Sequence, residues 1–246
     1  MNQNTRIRKY FIWLLWIAIW QAANMLIHNN IIFVGPADMV EALLELVHDS
    51  SFWASVLHTF AKISIGFLGA FVLSILLGCL AHALPLVKDL LEPMMLLIKS
   101  VPVASFVILA LIWIGSHNLA VFTSFLVVVP MIYVSTLSGL EHTDSKLLEM
   151  AQVFHMPLWK QIRYIYLPAV LPYLISGCRT ALGMSWKSGV AAEVIGIPEG
   201  SIGEQLYYSK LYLDTAGLFA WTFVIIIASA VFERLFLYFL GKVKHV

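Results

Sequence analysis

The sequence predicts an all-α fold, a polytopic bundle of six transmembrane helices. Of its 246 residues, 61% are hydrophobic and only 12% are charged, about half the charged fraction of a soluble domain. The apolar residues form continuous blocks without the alternation of a transmembrane β-strand. Each block is near the ~20 residues that an α-helix needs to cross the hydrocarbon. We interpret residues 1–246 as one transmembrane domain, with spans at about 10–27, 62–84, 93–114, 119–140, 169–192 and 218–240.

The first predicted span follows a basic segment. Arg6, Arg8 and Lys9 precede an apolar, tryptophan-rich stretch from Tyr10 to Ile27. A cleaved signal peptide has the same order of a basic start and an apolar core. This core is long for a signal sequence and carries bulky aromatic residues throughout, so we favour a retained membrane span.

The connection from Asn29 to Thr59 contains one helical pattern. After a break at Gly35-Pro36, residues 37–48 place apolar side chains near one helix face and acidic side chains elsewhere. The pattern fits an amphipathic helix at the membrane surface, and it fits a solvated loop helix equally well.

The later connections are short or polar. We predict a turn at 85–92, a turn at 115–118 and a Gly-rich polar loop at 193–217. Lys99 and Pro102 break the third hydrophobic region. Pro130 lies inside the fourth span, where a proline frees a backbone carbonyl and permits a kink.

Basic residues are distributed unequally between the predicted loops, which sets the expected orientation. With both termini in the cytoplasm, the outer loops hold Lys210, with Lys62 at the edge of a span. The cytoplasmic segments hold Arg6, Arg8, Lys9, Lys88, Lys146, Lys160, Arg163, Lys242 and Lys244. We therefore expect the polar segment between spans four and five to be cytoplasmic.

The chain has few of the parts of a transporter that powers itself: the acidic residues Glu193 and Glu233 lie near the ends of spans five and six. The string closest to a phosphate-binding GxxxxGK[ST] loop, Gly183 to Ser188, lacks the second glycine and lies in a span. Spans two to four contain no Asp or Glu at mid-depth, where ion and proton relays are built. We therefore expect the energy to come from a partner.

Other classes of ligand have little support in the sequence. The histidines are scattered without the spacing of a metal site, and no basic tract with interleaved aromatic residues indicates nucleic-acid binding. We expect no metal, no cofactor and no nucleic acid on this chain.

The longest polar interruption of the C-terminal half is the segment from Asp144 to Pro168. Asp144 is a good N-cap for a helix over 145–154. A second short helix is predicted over 158–164 after Pro157, and Leu167-Pro168 is predicted to end it and to start the fifth span. We call residues 144–168 the elbow.

The elbow resembles the EAA signature of the permease subunits of bacterial ABC importers. That signature reads Glu-Ala-Ala, a Gly four residues after the last Ala, and then Ile-x-Leu-Pro. The matching positions here are Glu149, Ala151, Ile165, Leu167 and Pro168. Met150 stands at the second position, and His155 stands at the Gly position. A Gly there suits a left-handed residue that ends a helix, and a His can adopt that conformation at greater cost.

The resemblance implies that the elbow is a coupling helix whose short helix lies in a groove of an ATPase. It implies two ATPase subunits that bind the ATP, a second copy of this permease, and an extracytoplasmic substrate-binding protein, all at the bacterial inner membrane. The ATPase-coupling positions are then Glu149, Ala151, Phe154, His155, Met156 and Pro157.

Residues after the elbow resemble one particular group of these importer permeases. The strings from Gly177 to Trp186 and from Ala191 to Gly196 are similar to permeases of the nitrate, sulfonate and taurine importers, a group that also includes importers of thiamine pyrimidine precursors. The resemblance covers roughly residue 90 to the C-terminus. It implies import of a small anionic or heterocyclic solute, with the vitamin-precursor substrate as an alternative.

Four residues of the fifth span are candidates for the translocation path. Arg179 at that depth should face the bundle interior or a water-filled path, where it either attracts an anion or forms a structural pair. Trp186 and Lys187 lie in the predicted outer half, and Lys187 either snorkels outward or contacts substrate. Glu193 could cap the outer loop, pair with Lys187 or line the entrance.

Two rival functions come from other classes. A membrane enzyme would need a nucleophile and base, or a metal, at one depth, and no such set can be assembled from the sequence. A non-transporting scaffold would not need a basic helical elbow in this register.

Overall fold

A computed structural model describes residues 3–27, 29 and 31–242. These residues form helices joined by short connections, with no strand among them. The helices are α1 Gln3–Ile27, α2 Pro36–Val47, α3 Ser50–Ala83, α4 Pro85–Ser100, α5 Val103–Ile114, α6 Leu119–Glu141, α7 Ser145–Val153, α8 Leu158–Gln161, α9 Leu167–Gly196, α10 Ile202–Leu211 and α11 Thr215–Lys242. A π-helical turn, Ile162–Tyr166, joins α8 to α9.

The all-α, polytopic architecture agrees with the sequence prediction. Four helical segments are long and apolar enough to cross a membrane: Ser50–Ala83, Leu119–Glu141, Leu158–Gly196 and Thr215–Lys242. The pair α4 and α5 would be a fifth span, although its axis bends by 103° at the break between the two helices. The apolar part of α1, Phe11–Ile27, is shorter than the others, so the count of six spans stays a prediction.

The core lies where α6 packs against α3 on one side and α9 on the other. Ile63, Phe67, Ile132 and Leu182 are fully buried there. Small residues allow the backbones to approach closely, because a methyl group added at Gly66 would overlap the carbonyl oxygen of Val121. α11 packs on α2, α9 and α10 at the edge of this core.

Two boundaries differ from the prediction because of local capping. The helix predicted from residue 62 begins at Ser50, since the Asp49 carboxylate accepts a hydrogen bond from the Ser51 amide at 3.0 Å and caps its first turn. Hydrogen bonds from the Ser51 amide and hydroxyl lower the pKa of Asp49. The predicted turn at 85–92 is wrong: those residues are helical in α4, where Pro85 occupies the first turn and needs no amide hydrogen.

The amphipathic helix predicted over 37–48 is present as α2. Met39 is buried, and Leu43, Leu46 and Val47 pack against the core beside α11. Its apolar face is therefore covered by protein.

Polar contacts between helices lie at both ends of the bundle. At one end, Lys88 of α4 forms an ion pair with Glu141, just before the elbow, at 2.6 Å. At the other end, Lys62 of α3 donates a hydrogen bond to Asn118 at 3.1 Å. The connection between α3 and α4 and the elbow thus share one end, as the predicted topology requires.

Candidate functional site: the elbow and the exposed face of α9

The first helix of the elbow, α7, begins as its sequence predicts. The Asp144 carboxylate accepts a hydrogen bond from the Lys146 amide at 2.9 Å. This contact satisfies one of the amide groups that a helix start leaves without an intrahelical partner. Ala151 is 0% exposed, whereas Glu149 is exposed.

The end of α7 is a tight cap built on His155. His155 has φ 48°, in the left-handed region. Its amide donates to the Gln152 carbonyl at 3.0 Å, and the Met156 amide donates to the Ala151 carbonyl at 2.8 Å. This pair of bonds is the Schellman arrangement, which normally uses a glycine at the left-handed position. His155 thus adopts the conformation that the family's glycine would adopt.

The second helix of the elbow starts directly after this cap. Pro157 precedes α8, and its carbonyl accepts the Lys160 amide at 2.9 Å. The Gln161 side chain donates to the Met156 carbonyl at 2.8 Å, which ties α8 back to the cap. The whole reversal between α7 and α8 is therefore held by hydrogen bonds.

The prediction that Leu167-Pro168 ends the second elbow helix is wrong. The chain is helical without a break from Leu158 to Gly196. Pro168 lacks an amide hydrogen, and immediately before it the Leu167 amide bonds five residues back, to the Ile162 carbonyl. This π turn keeps the helix continuous where a proline would otherwise interrupt it. The short elbow helix is thus the first part of the long membrane helix.

The outer surface of the elbow carries an uncovered apolar patch, which we call the elbow patch. It consists of Val153, Phe154, Leu158 and Trp159, all exposed. Phe154 is 75% exposed, whereas Ala151, three residues earlier, is buried. Exposed contiguous apolar surface of this kind marks interaction sites.

The α9 helix buries one face against α6 and α3 and leaves the opposite face uncovered. Thr180, Met184, Lys187 and Ala191 are exposed at the spacing of a single helix face. Arg179 is exposed beside them, so it does not face the interior of this bundle. It forms no ion pair with the part of the chain that the structure describes.

Trp186 and Lys187 border a groove between α9 and α11. The groove has a volume of about 440 Å³, and Glu233 of α11 also lines it. Trp186 is buried against Phe60 and Phe232. Lys187 is exposed and makes no ion pair with Glu233 or Glu193 within the described residues.

Glu193 lies at the centre of a buried network at the end of the bundle opposite the elbow. It is 0% exposed. One carboxylate oxygen accepts hydrogen bonds from the Thr59 hydroxyl at 2.8 Å and from the Gly203 amide at 3.2 Å. The Thr59 hydroxyl in turn accepts the Ile202 amide at 2.9 Å.

The Glu193 carboxylate thus caps α10, because Ile202 and Gly203 form the first turn of that helix. A role for Glu193 in the translocation path stays a prediction. A methyl group at Gly203 would overlap Cβ of Glu193, so the contact needs a glycine there. Sequence reasoning missed Thr59, which lies 134 residues from Glu193 along the chain, and no local spacing could have indicated it.

Among the described residues, no group of three His, Cys, Asp or Glu side chains could hold a metal ion. The arrangement therefore offers two features for function: the elbow patch at one end, and the uncovered face of α9 through the middle of the bundle.

Comparison with known proteins places these features in context. Residues 70–245 match the family described as binding-protein-dependent transport system inner membrane component. The permease SsuC of Bacillus subtilis (strain 168), named for the transport of aliphatic sulfonates, is 27% identical over 206 residues, 83% of this chain and 74% of that protein. The taurine transport system permease protein TauC of Escherichia coli (strain K12) is 24% identical over 220 residues, 87% and 80% of the two chains. The nitrate import permease protein NrtB of Synechocystis sp. is 23% identical over 195 residues, 74% and 71%.

Replacing His155 tests the left-handed cap. His155→Gly should raise the free energy of unfolding by about 1 kcal/mol, because a side chain in this conformation carries a steric cost that glycine lacks. Gln152→Gly, at an exposed position in the last turn of α7, should lower it by up to about 1 kcal/mol. Thermal unfolding of the purified chain in detergent measures both changes, and a loss of stability in His155→Gly would show that the imidazole itself is needed.

Replacing Glu193 separates a capping role from a role in the path. Glu193→Leu should lower the free energy of unfolding by about 1–3 kcal/mol, because the buried Gly203 amide and the Thr59 hydroxyl, which still accepts the Ile202 amide, both lose their acceptor. Glu193→Gln keeps an acceptor and should lie close to wild type, as should Glu199→Leu at an exposed acidic position. If Glu193→Leu kept full thermal stability and lost only transport, the residue would line the path instead.

Proposed function

The chain belongs to the family of binding-protein-dependent transport system inner membrane components, and on that premise we propose that it carries a small anion across the membrane under the drive of separate ATPase subunits. It is an ABC importer permease of the sulfonate, taurine and nitrate type, and a multi-pass inner membrane protein. The ATPase, the substrate and the assembly around this chain are the proposed parts.

The elbow patch is the observation that carries the proposal. Val153, Phe154, Leu158 and Trp159 leave apolar surface uncovered at one end of the bundle, next to the exposed Glu149. An apolar centre with a charged rim is the composition of a protein interface. We assign this surface to the ATPase subunits, which would bind the ATP, while this chain binds no cofactor.

The continuity of the helix from Leu158 to Gly196 supports a direct mechanical link. A partner that moves α8 also moves α9, because no flexible joint lies between them. The Schellman cap at His155 and the hydrogen bond from Gln161 to Met156 hold the angle between α7 and α8. Closure of the ATPase pair on ATP would thus tilt α9 and switch the path from inward-open to outward-open.

A second copy of the chain is proposed to face α9. Arg179 and Lys187 are exposed on the membrane-spanning part of α9, and a charge directed into lipid at depth costs several kcal/mol. A path lined by two copies would give both cations water or an anionic substrate. The extracytoplasmic binding protein would then deliver substrate at the end of the bundle that holds Glu193.

The substrate class follows from the same cations and from the relatives. SsuC, TauC and NrtB are named for aliphatic sulfonates, taurine and nitrate, and CmpB of Synechococcus elongatus is named for bicarbonate. These solutes all carry an anionic group, which Arg179 and Lys187 could attract. An uncharged pyrimidine precursor of thiamine would gain nothing from these cations, so the anion is the better candidate.

Replacing Phe154 tests the assigned docking surface. Phe154→Asp should reduce the amount of ATPase that co-purifies with the tagged chain by tenfold or more, because burial of a Phe side chain contributes about 1.5–3 kcal/mol. Tyr212→Asp is the matched control, since Tyr212 is also 75% exposed but lies after α10, at the other end of the bundle.

Mild-detergent purification from native membranes and mass spectrometry measure the ratio of ATPase to permease. Equal ATPase recovery with Phe154→Asp and wild type would remove the elbow patch from the interface. Recovery of wild-type chain alone, under conditions that keep other transporter complexes intact, would contradict the importer assembly itself.

A further inference from the structure

A cavity opens where the third predicted span breaks. Between α4 and α5, Val101 and Pro102 separate two helices whose axes differ by 103°. The space left beside this bend has a volume of about 460 Å³ and is walled by α6 and α9. Its lining includes Lys99, Val103, Pro130, Ser135, Thr180 and Met184.

The cavity lies near the middle of the membrane-spanning helices. Pro130, on its wall, is about 17 Å from each end of α6 at a rise of 1.5 Å per residue. Thr180 lies about 20 Å along α9 from Leu167. Lys99 lines the same cavity as Pro130 and Thr180.

Among the described residues that line this cavity, Lys99 alone is charged. It is exposed and forms neither an ion pair nor a hydrogen bond within the described part of the chain. A smaller cavity of about 260 Å³ on the other side of Lys99 contains Lys88 and Glu92, but Lys88 is already paired with Glu141 at 2.6 Å. An unpaired lysine on a cavity near the middle of the membrane-spanning helices indicates a water-filled path or a ligand site.

The rest of the lining is apolar or carries hydroxyl groups. Val103, Met131 and Met184 present apolar side chains, and the Thr180 hydroxyl can donate a hydrogen bond. Val103 is the first residue of α5, which has no side-chain cap, so free amide groups of a helix start border the cavity and add positive potential.

We propose that this cavity binds a monoanion with a short apolar body, and that Lys99 holds the anionic group. The proposal rests on the proposed importer function and refines it, because it names a site within the path and a substrate class. One cation suits one negative charge, and the apolar wall favours a solute with several carbon atoms over an inorganic anion. The Thr180 hydroxyl would donate to the same anionic group from α9.

The site can be probed without transport by protection of a cysteine. Met184→Cys places a thiol on the cavity wall, in a background where Cys79→Ser removes the exposed native thiol and Cys178 is buried. The complex in liposomes is treated with N-ethylmaleimide at rising concentrations of 1-butanesulfonate. We expect 1-butanesulfonate to slow labelling of the new thiol, and the neutral analogue butanamide and nitrate to protect it far less.

Lys99 variants then test the assigned residue. Lys99→Met should raise the concentration for half-protection about tenfold or more, since a hydrogen bond to a charged group is lost. Lys99→Arg keeps the charge and should stay within about threefold. Lys210→Met, an exposed lysine on α10 outside the cavity, is the matched control and should leave protection unchanged.

Uptake of 1-butanesulfonate is measured on the same liposomes, so that failure of the proposed site can be distinguished from failure of the proposed importer function. Absence of labelling at Met184→Cys would mean that lipid or the second copy fills the cavity, and it would overturn the site. Labelling without protection, or equal protection with Lys99 and Lys99→Met, would also overturn it, while uptake in that case would leave the importer function intact. Protection without any uptake by the complex would keep the site and contradict the importer function.

Discussion

The structure depends on one unbroken helix, which runs from Leu158 in the elbow to Gly196 at the far end of the bundle. A membrane offers no water to satisfy free backbone groups, so the chain must stay helical across the hydrocarbon. The π turn at Ile162–Tyr166 maintains this continuity at Pro168. Both ends of the helix are held: the elbow end by the cap at His155, and the far end by the hydrogen bonds of Glu193.

As a result, α9 has one side buried in the bundle and one side that no other helix of the chain covers. The buried side of α9 packs on α6 and α3 and is closed by small residues. The uncovered side carries Arg179 and Lys187, and a cavity lies next to it, beside the bend after Lys99. The proposed second copy and the proposed aqueous path would cover these cations, which the single chain leaves exposed.

The sequence predicted those parts of the molecule that local patterns encode. Apolar blocks located the membrane helices, Asp144 marked the start of α7, and the comparison of His155 with the family's glycine anticipated its left-handed conformation. Two predictions at prolines were wrong, because the sequence alone does not tell whether a proline begins a helix, ends it or lies within it. Pro85 begins a helix rather than a turn, and Pro168 lies within a continuous helix rather than at its start. Contacts between distant segments had no local signal: Thr59 meets Glu193 only because α3 and α9 pack together, and the cavity at Lys99 depends on the 103° bend.

The central claim is that movement of the elbow reaches α9 through a stiff helix. It is tested most directly by the ratio of substrate uptake to ATP hydrolysis in liposomes that contain the chain with its ATPase and binding protein. The double variant Ile162→Gly and Tyr164→Gly changes two exposed side chains and softens the helix, whereas Ile162→Ala and Tyr164→Ala remove the same side chains and keep it stiff. The account predicts that the glycine variant still hydrolyses ATP but imports substrate at a ratio lower by about tenfold, and that the alanine variant keeps the wild-type ratio. An unchanged ratio in the glycine variant would contradict transmission through this helix.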